Sequence, residues 1–200
     1  ELNNKNAESE LLSFIKTYPT HPKSKTAKFQ IGRVYFKNEN YAEALKWFTE
    51  VEEIDLNATD QIEYNFKTAY CYFIQKDYNK ARTNFAKVKD GNNKYSEDAT
   101  YYFAHIAYIN KDYTTALNHL NKIKNSSKYA EIYQYYTAQI FLINEKYDDV
   151  ISFTEPIIAK GTSKYKSQLH KIVGAAYFNK KNYPLAQRNF DVYLADKAAT

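Results

Sequence analysis

The sequence predicts an all-α chain, a solenoid of stacked helix–turn–helix hairpins with about eleven helices. Three observations predict it. A Tyr-x-x-Ala pair returns at Tyr41/Ala44, Tyr78/Ala81, Tyr113/Ala116 and Tyr183/Ala186, with a variant at Tyr147/Val150. The tyrosines stand 37, 35, 34 and 36 residues apart, a period that belongs to repeat architectures. Gly and Pro number only 4 each in 200 residues, too few for a turn-rich β fold or a phosphate-cradling loop.

Each repeat has the same internal spacing. Twelve residues before the Ala position comes a small residue: Gly32, Ala69, Ala104, Ala138 or Gly174. Four residues after it comes a large apolar one: Phe48, Phe85, Leu120 or Phe190, with Thr154 in the fourth repeat. Lys28, Ile31, Gly32 and Tyr35 fall on one helical stripe, and Tyr41, Ala44, Leu45, Phe48 and Val51 on a second. Small residues stand where two helices must approach closely, and the large ones fill the flanks. One hairpin cannot bury its apolar face alone, so neighbours must stack on it.

The elements follow in order. Residues 1–19, with Ala7, Leu11, Phe14 and Tyr18-Pro19, read as the second helix of a preceding half repeat. Repeats one to five then occupy residues 22–57, 58–92, 93–126, 127–162 and 163–200. Ser24, Asp60 and Ser96 stand where N-caps are expected. Pro184 suits a helix start. Pro156 should kink or shorten its helix. The chain opens with Glu1 rather than Met and reads as a segment of a longer protein.

The spacing small–x2–Tyr–x5–Tyr–x2–Ala–x3–Phe resembles the tetratricopeptide repeat. The resemblance covers nearly the whole chain and implies a right-handed superhelix. Two departures stand out. The family's tryptophan gives way to Lys28, Asn65, Thr100, Gln134 and His170, and its turn glycine to Glu39, Lys76, Lys111, Glu145 and Lys181. Tyr18-Pro19-Thr20-His21-Pro22-Lys23-Ser24, with Ala27, resembles bacterial envelope members of the family. These are outer-membrane assembly lipoproteins and periplasmic partners of the Tol–Pal system. That likeness implies a periplasmic setting, at the outer-membrane face or free; the cytoplasm is the alternative.

Chemistry is sparse. The four His and the single Cys71 show no metal-ligand or nucleophile spacing, and Cys71 reads as a buried thiol. Glu52-Glu53-Asp55 and Asp148-Asp149 fit helix ends, where acids have a structural role. No catalysis, cofactor, metal or membrane insertion is expected. The repeat resemblance implies instead a scaffold that binds a peptide or partner protein along a concave wall of first helices. The expected lining is Phe29/Arg33/Phe36, Phe66/Tyr70/Phe73, Tyr101/His105/Tyr108, Tyr135/Gln139/Leu142 and Lys171/Ala175/Phe178. Ten of those fifteen are Phe, Tyr or His, which suit recognition and equally suit packing between repeats. Arg33, His105 and Gln139 would be its polar readers, and a neutral-range histidine could make binding pH-sensitive.

Charge is lopsided. The net +5 comes wholly from residues 101–200, and Pro156 to Phe190 carries Lys160, Lys164, Lys166, Lys171, Lys180, Lys181 and Arg188 with no acid. That run is either a solvated face or an attraction for an acidic partner region. Two other functions compete with peptide binding. One is self-assembly through exposed array ends, giving a homodimer. The other is single-stranded RNA binding, disfavoured because the basic excess does not run along the whole wall.

Overall fold

The computed structural model describes residues 6–198; the expectations for residues 1–5 and 199–200, and for the side chain of Ala7, lie outside the described residues. Among those residues there are eleven α-helices and no strand. Helix α1 spans Ala7–Thr17. Five helix pairs follow: α2 (Pro22–Lys37) with α3 (Tyr41–Thr49), α4 (Ala58–Ile74) with α5 (Tyr78–Ala86), and α6 (Ser96–Ile109) with α7 (Tyr113–Lys122). The last two are α8 (Ala130–Ile143) with α9 (Tyr147–Lys160), and α10 (Lys166–Asn179) with α11 (Tyr183–Ala198). A 3-10 turn at Glu53–Asp55 precedes α4. The chain divides into two compact units, one ending at Ile106 and one starting at Ala107.

The small–large register is the contact inside each hairpin. A Cβ on Gly32 would stand 2.4 Å from Phe48 Cε1, and one on Gly174 2.8 Å from Phe190. Neither position has room for a side chain. Ala44, Ala69, Ala81, Ala104, Ala116 and Ala138 are fully buried, as are Phe48 and Phe85. In the first unit one core gathers Phe29, Ala44, Leu45 and Phe48 with Cys71, and another Phe66, Ala81, Phe85, Phe103 and Ile106. In the second unit Ala138, Val150, Leu169, Val173 and Ala176 form the core. Cys71 is buried as expected, and burial pushes its thiol up to about 12.

The turns explain the missing glycines. Glu39, Lys76, Lys111, Glu145 and Lys181 all hold φ between 57° and 63°. Each sits at C′ of a Schellman motif. In the first, Asn40 N–H donates to Tyr35 O at 3.0 Å and Glu39 N–H to Phe36 O at 3.1 Å; the other four repeat that pair of bonds. The next residue then caps the following helix. Asn40, Asp77, Asp112 and Asn182 accept from a backbone N–H three residues on. Lys146 breaks this rule and caps nothing with its side chain.

Several local expectations need correction. Helix α2 starts at Pro22, and its cap is His21, whose Nδ1 accepts from Lys23 N–H at 3.1 Å. Ser24 is buried instead, donating to Tyr18 O. Asn57, rather than Asp60, caps α4: its Oδ1 accepts from Asp60 N–H at 3.0 Å, and its Nδ2 donates to Asp60 Oδ2 at 2.7 Å. Of the two outcomes expected of Pro156, early termination does not occur: α9 runs on for four residues to Gly161, in the left-handed region. The fourth repeat is irregular in another way: Thr154 is fully buried in the slot for a large apolar group, with no partner for its hydroxyl.

Two substitutions should move stability in opposite directions. Gly32→Leu drives a side chain into the Phe48 ring and should cost about 1–3 kcal/mol or more. Lys76→Gly removes a left-handed penalty of about 1–2 kcal/mol, partly offset by glycine's backbone entropy, leaving a gain of about 1 kcal/mol. Urea denaturation of both variants checks the pair; equal midpoints would refute both assignments.

Candidate functional site

The expected wall residues fall into two groups. Phe29, Arg33, Phe36, Phe66, Tyr70, Phe73, Tyr101 and His105 belong to the first unit, and Tyr108, Tyr135, Gln139 and Phe178 to the second.

In the first unit the rings are packed on one another. Phe29 is 0% exposed and Phe66 7%, so both are core and are withdrawn from the partner-binding set. The reason is register: both rings lie level with the next repeat and pack on its first helix or the turn before it. Phe29 meets Phe48 and Tyr64, and Phe66 stacks on Tyr95 at 4.6 Å and 18°. Tyr70 touches Phe36, Tyr41, Phe66 and Tyr102. Phe73 meets Tyr78, Tyr102 and His105. Tyr102 is the hub that the sequence reading passed over; it also packs on Phe85 and Tyr101, and burial drives its phenol far up.

Arg33 is committed as well. Its Nε lies 2.8 Å from Glu63 Oε1, an ion pair off the line of a hydrogen bond, and Nη1 donates to Gln30. Lys67 Nζ reaches the same oxygen at 2.8 Å and sits over the Phe36 ring. Burial pushes the Glu63 carboxyl up, but Lys67 and Arg33 outweigh it and hold it below the usual carboxylate range. Burial likewise holds Lys67 below its ordinary value. Glu63 was legible: three residues before Phe66, it extends the Phe66/Tyr70 stripe by one turn, and Lys67 follows it at i+4.

His105 bonds Tyr101 Oη through Nδ1 at 3.1 Å. Burial lowers its pKa from the ordinary imidazole value, so it is neutral at physiological pH and is not a cationic reader.

The second unit contains an open cavity of about 370 Å³. Helix α6 supplies Tyr108, α8 supplies Tyr135, Gln139, Leu142 and Ile143, α10 supplies Gln168, Lys171, Ile172 and Ala175, and α11 supplies Tyr193. Six of these were on the expected wall: Tyr108, Tyr135, Gln139, Leu142, Lys171 and Ala175. The others were missed. Gln168 lies three residues before Lys171, so one more turn of the stripe would have found it; Tyr193 comes from a second helix, which the first-helix rule passes over. Tyr108 Oη donates to Gln139 Oε1 at 3.1 Å, and Gln139 Nε2 donates to Tyr135 Oη at 2.7 Å. Tyr135 stacks on Tyr165 at 4.9 Å and 11°, and Lys171 Nζ lies 5.4 Å from the Tyr193 ring centre. Phe178 is outside the cavity, 56% exposed and paired with Tyr183.

Among the described residues no group of three His, Cys, Asp or Glu could hold a metal, and no helix is long and apolar enough to cross a membrane.

The pH behaviour of His105 can be tested. Its folded pKa lies below its unfolded one, so the unfolded chain takes up the proton first. The neutral ring's contribution is intact above about pH 6.5 and is lost as pH falls through the lower folded value. An NMR titration should place the His105 midpoint below about 6.5, and His105→Asn should flatten the loss of stability on acidification. A midpoint at or above that value would contradict the burial.

No protein-family model matches the chain, and no curated protein matches it. Solved structures do. MamA aligns with a TM-score of 0.69 at 17% identity, over 84% of this chain and 95% of that one. YrrB, a TPR protein with an unusual peptide-binding site, aligns at 0.69 and 14%, over 92% and 91%. A tetratricopeptide repeat protein from Parabacteroides merdae aligns at 0.64 and 16%, over 94% and 71%. At these identities the likeness establishes the fold, and the chain has the all-α tetratricopeptide-repeat solenoid fold.

Proposed function

We propose that the chain is a non-catalytic interaction scaffold whose second unit binds a peptide of a partner protein in the cavity between α8 and α10. The observation that carries this reading is the convergence of Tyr108, Tyr135, Gln139, Leu142, Lys171 and Ala175 on one opening. Tyrosine offers large contact area at small entropic cost, and the open cavity suits side-chain insertion. That YrrB, on the same fold, has a peptide-binding site supports a peptide as the class of ligand. The acid-free run from Lys160 to Arg188 steers an acidic partner and acts mainly on the association rate. The Tyr18–Ser24 likeness makes the bacterial envelope the proposed setting.

The test is panning a synthetic library of capped random dodecapeptides on the chain and on Ala175→Arg, which fills the cavity from its half-buried rim. The wild type should select a sequence motif that the variant does not. The same motif from both proteins, or none from the wild type, would remove the cavity as the site. Affinity that falls steeply with salt for single-stranded RNA would favour the nucleic-acid reading instead.

Self-association is a second reading, favoured by exposed Phe178, Tyr183, Val192 and Leu194 along the last hairpin. Light scattering decides it: a dimer mass that Val192→Lys/Leu194→Lys returns to 23.5 kDa supports the contact, and a monomer at all concentrations rejects it.

A further inference from the structure

We infer that the cavity reads a carboxylate, an Asp or Glu side chain of the bound peptide, through Tyr108, Tyr135, Gln139 and Lys171. The inference rests on the cavity being the peptide site and adds the chemistry of what enters it.

Tyr108 and Tyr135 bring one O–H each, and the Gln139 amide brings two N–H. Their mutual bonds use two of these four: Tyr108 to Gln139, and Gln139 to Tyr135. One N–H and the Tyr135 O–H are left over. If the amide is turned over, the bonds reverse, and one N–H and the Tyr108 O–H are left over. Either way the network ends in a tyrosine hydroxyl with a hydrogen to give. Burial keeps both phenols above their ordinary pKa, with neighbouring tyrosines adding to the effect, so both hydrogens stay in place at any physiological pH.

Lys171 adds an ammonium, which donates and cannot accept. No Asp or Glu lines the cavity, and none occurs from Pro156 to Phe190. A ligand ammonium or guanidinium would meet no counter-charge, whereas a carboxylate would meet a cation and hydroxyl and amide donors. Ile172 and Ala175 line the same opening, so an apolar neighbour of the acidic residue has a place to sit. Phosphate shares the acceptor chemistry, but the carboxylate is the group that an ordinary peptide side chain brings.

Capping both ends of the library peptides leaves side chains as the only source of carboxylate. The chain should select peptides with Asp or Glu fixed at one position. Replacing that Glu by Gln should weaken binding about ten-fold or more, the usual worth of a charge-assisted bond. Tyr135→Phe keeps the ring that stacks on Tyr165 and removes the hydroxyl; Lys171→Gln removes the charge. Both should narrow the Glu-to-Gln gap, with circular dichroism unchanged. A selected motif with no acid, or a gap unaltered in both variants, overturns the inference while leaving the peptide site standing. A phosphoserine peptide that binds where its Glu counterpart does not also overturns it. No motif at all removes the peptide site itself.

Discussion

The close approach of two helices within each hairpin is the constraint on which the other features depend. Phe48 lies across Gly32 and Phe190 across Gly174, at distances that admit no β-carbon. Where the small residue is Ala, as at Ala69 and Ala138, its methyl is fully buried. Once that contact is fixed, the turn has little freedom. The first helix must stop and the second must start within three residues, which a Schellman motif with its sixth residue doubling as N-cap achieves. Five non-glycine residues accept left-handed φ to do so. The strain is tolerated because the close contact on either side leaves the chain no other path.

These constraints set what could be read from the sequence. The hairpin count, the tight glycines and the buried Ala and Phe positions follow from a spacing that repeats five times. Repetition turns weak local signals into a register. The helix starts were less legible, because Ser, Asp, Asn and His all compete for caps within a few residues. His21 and Asn57 prevailed over Ser24 and Asp60 through one-turn differences that depend on where the preceding chain leaves the core. Pro156 shows the same limit, since packing along α9 continues the helix through a residue that breaks isolated ones.

The candidate site was half legible for a physical reason. Aromatic residues at i, i+4 and i+7 on a first helix have two competing uses, covering the next repeat and facing outward. The stripe alone does not separate them. In the first unit covering prevails: Phe29 and Phe66 are core, Tyr70 is held by four rings, and Arg33 is neutralised by a carboxylate that the stripe omitted. In the second unit the trios contain Gln139, Lys171 and Ala175 in place of rings. The packed ladder thins there, and the space it would fill is the cavity.

That cavity adjoins the repeat that departs furthest from the common pattern. Helix α8 supplies four of its lining residues, and its partner α9 carries Val150 for Ala, buried Thr154 for Phe, a proline in the tenth position and no side-chain N-cap. Two of these departures leave polar groups unserved: the buried Thr154 hydroxyl has no partner, and α9 starts without a side-chain cap. Unsatisfied Thr154 alone leaves a buried hydroxyl that costs about 1–3 kcal/mol. Val150, Thr154, Pro156 and the missing cap all fall on the hairpin that presents Tyr135 and Gln139. The opening between α8 and α10 is thus framed on one side by the hairpin whose packing departs furthest from the shared register.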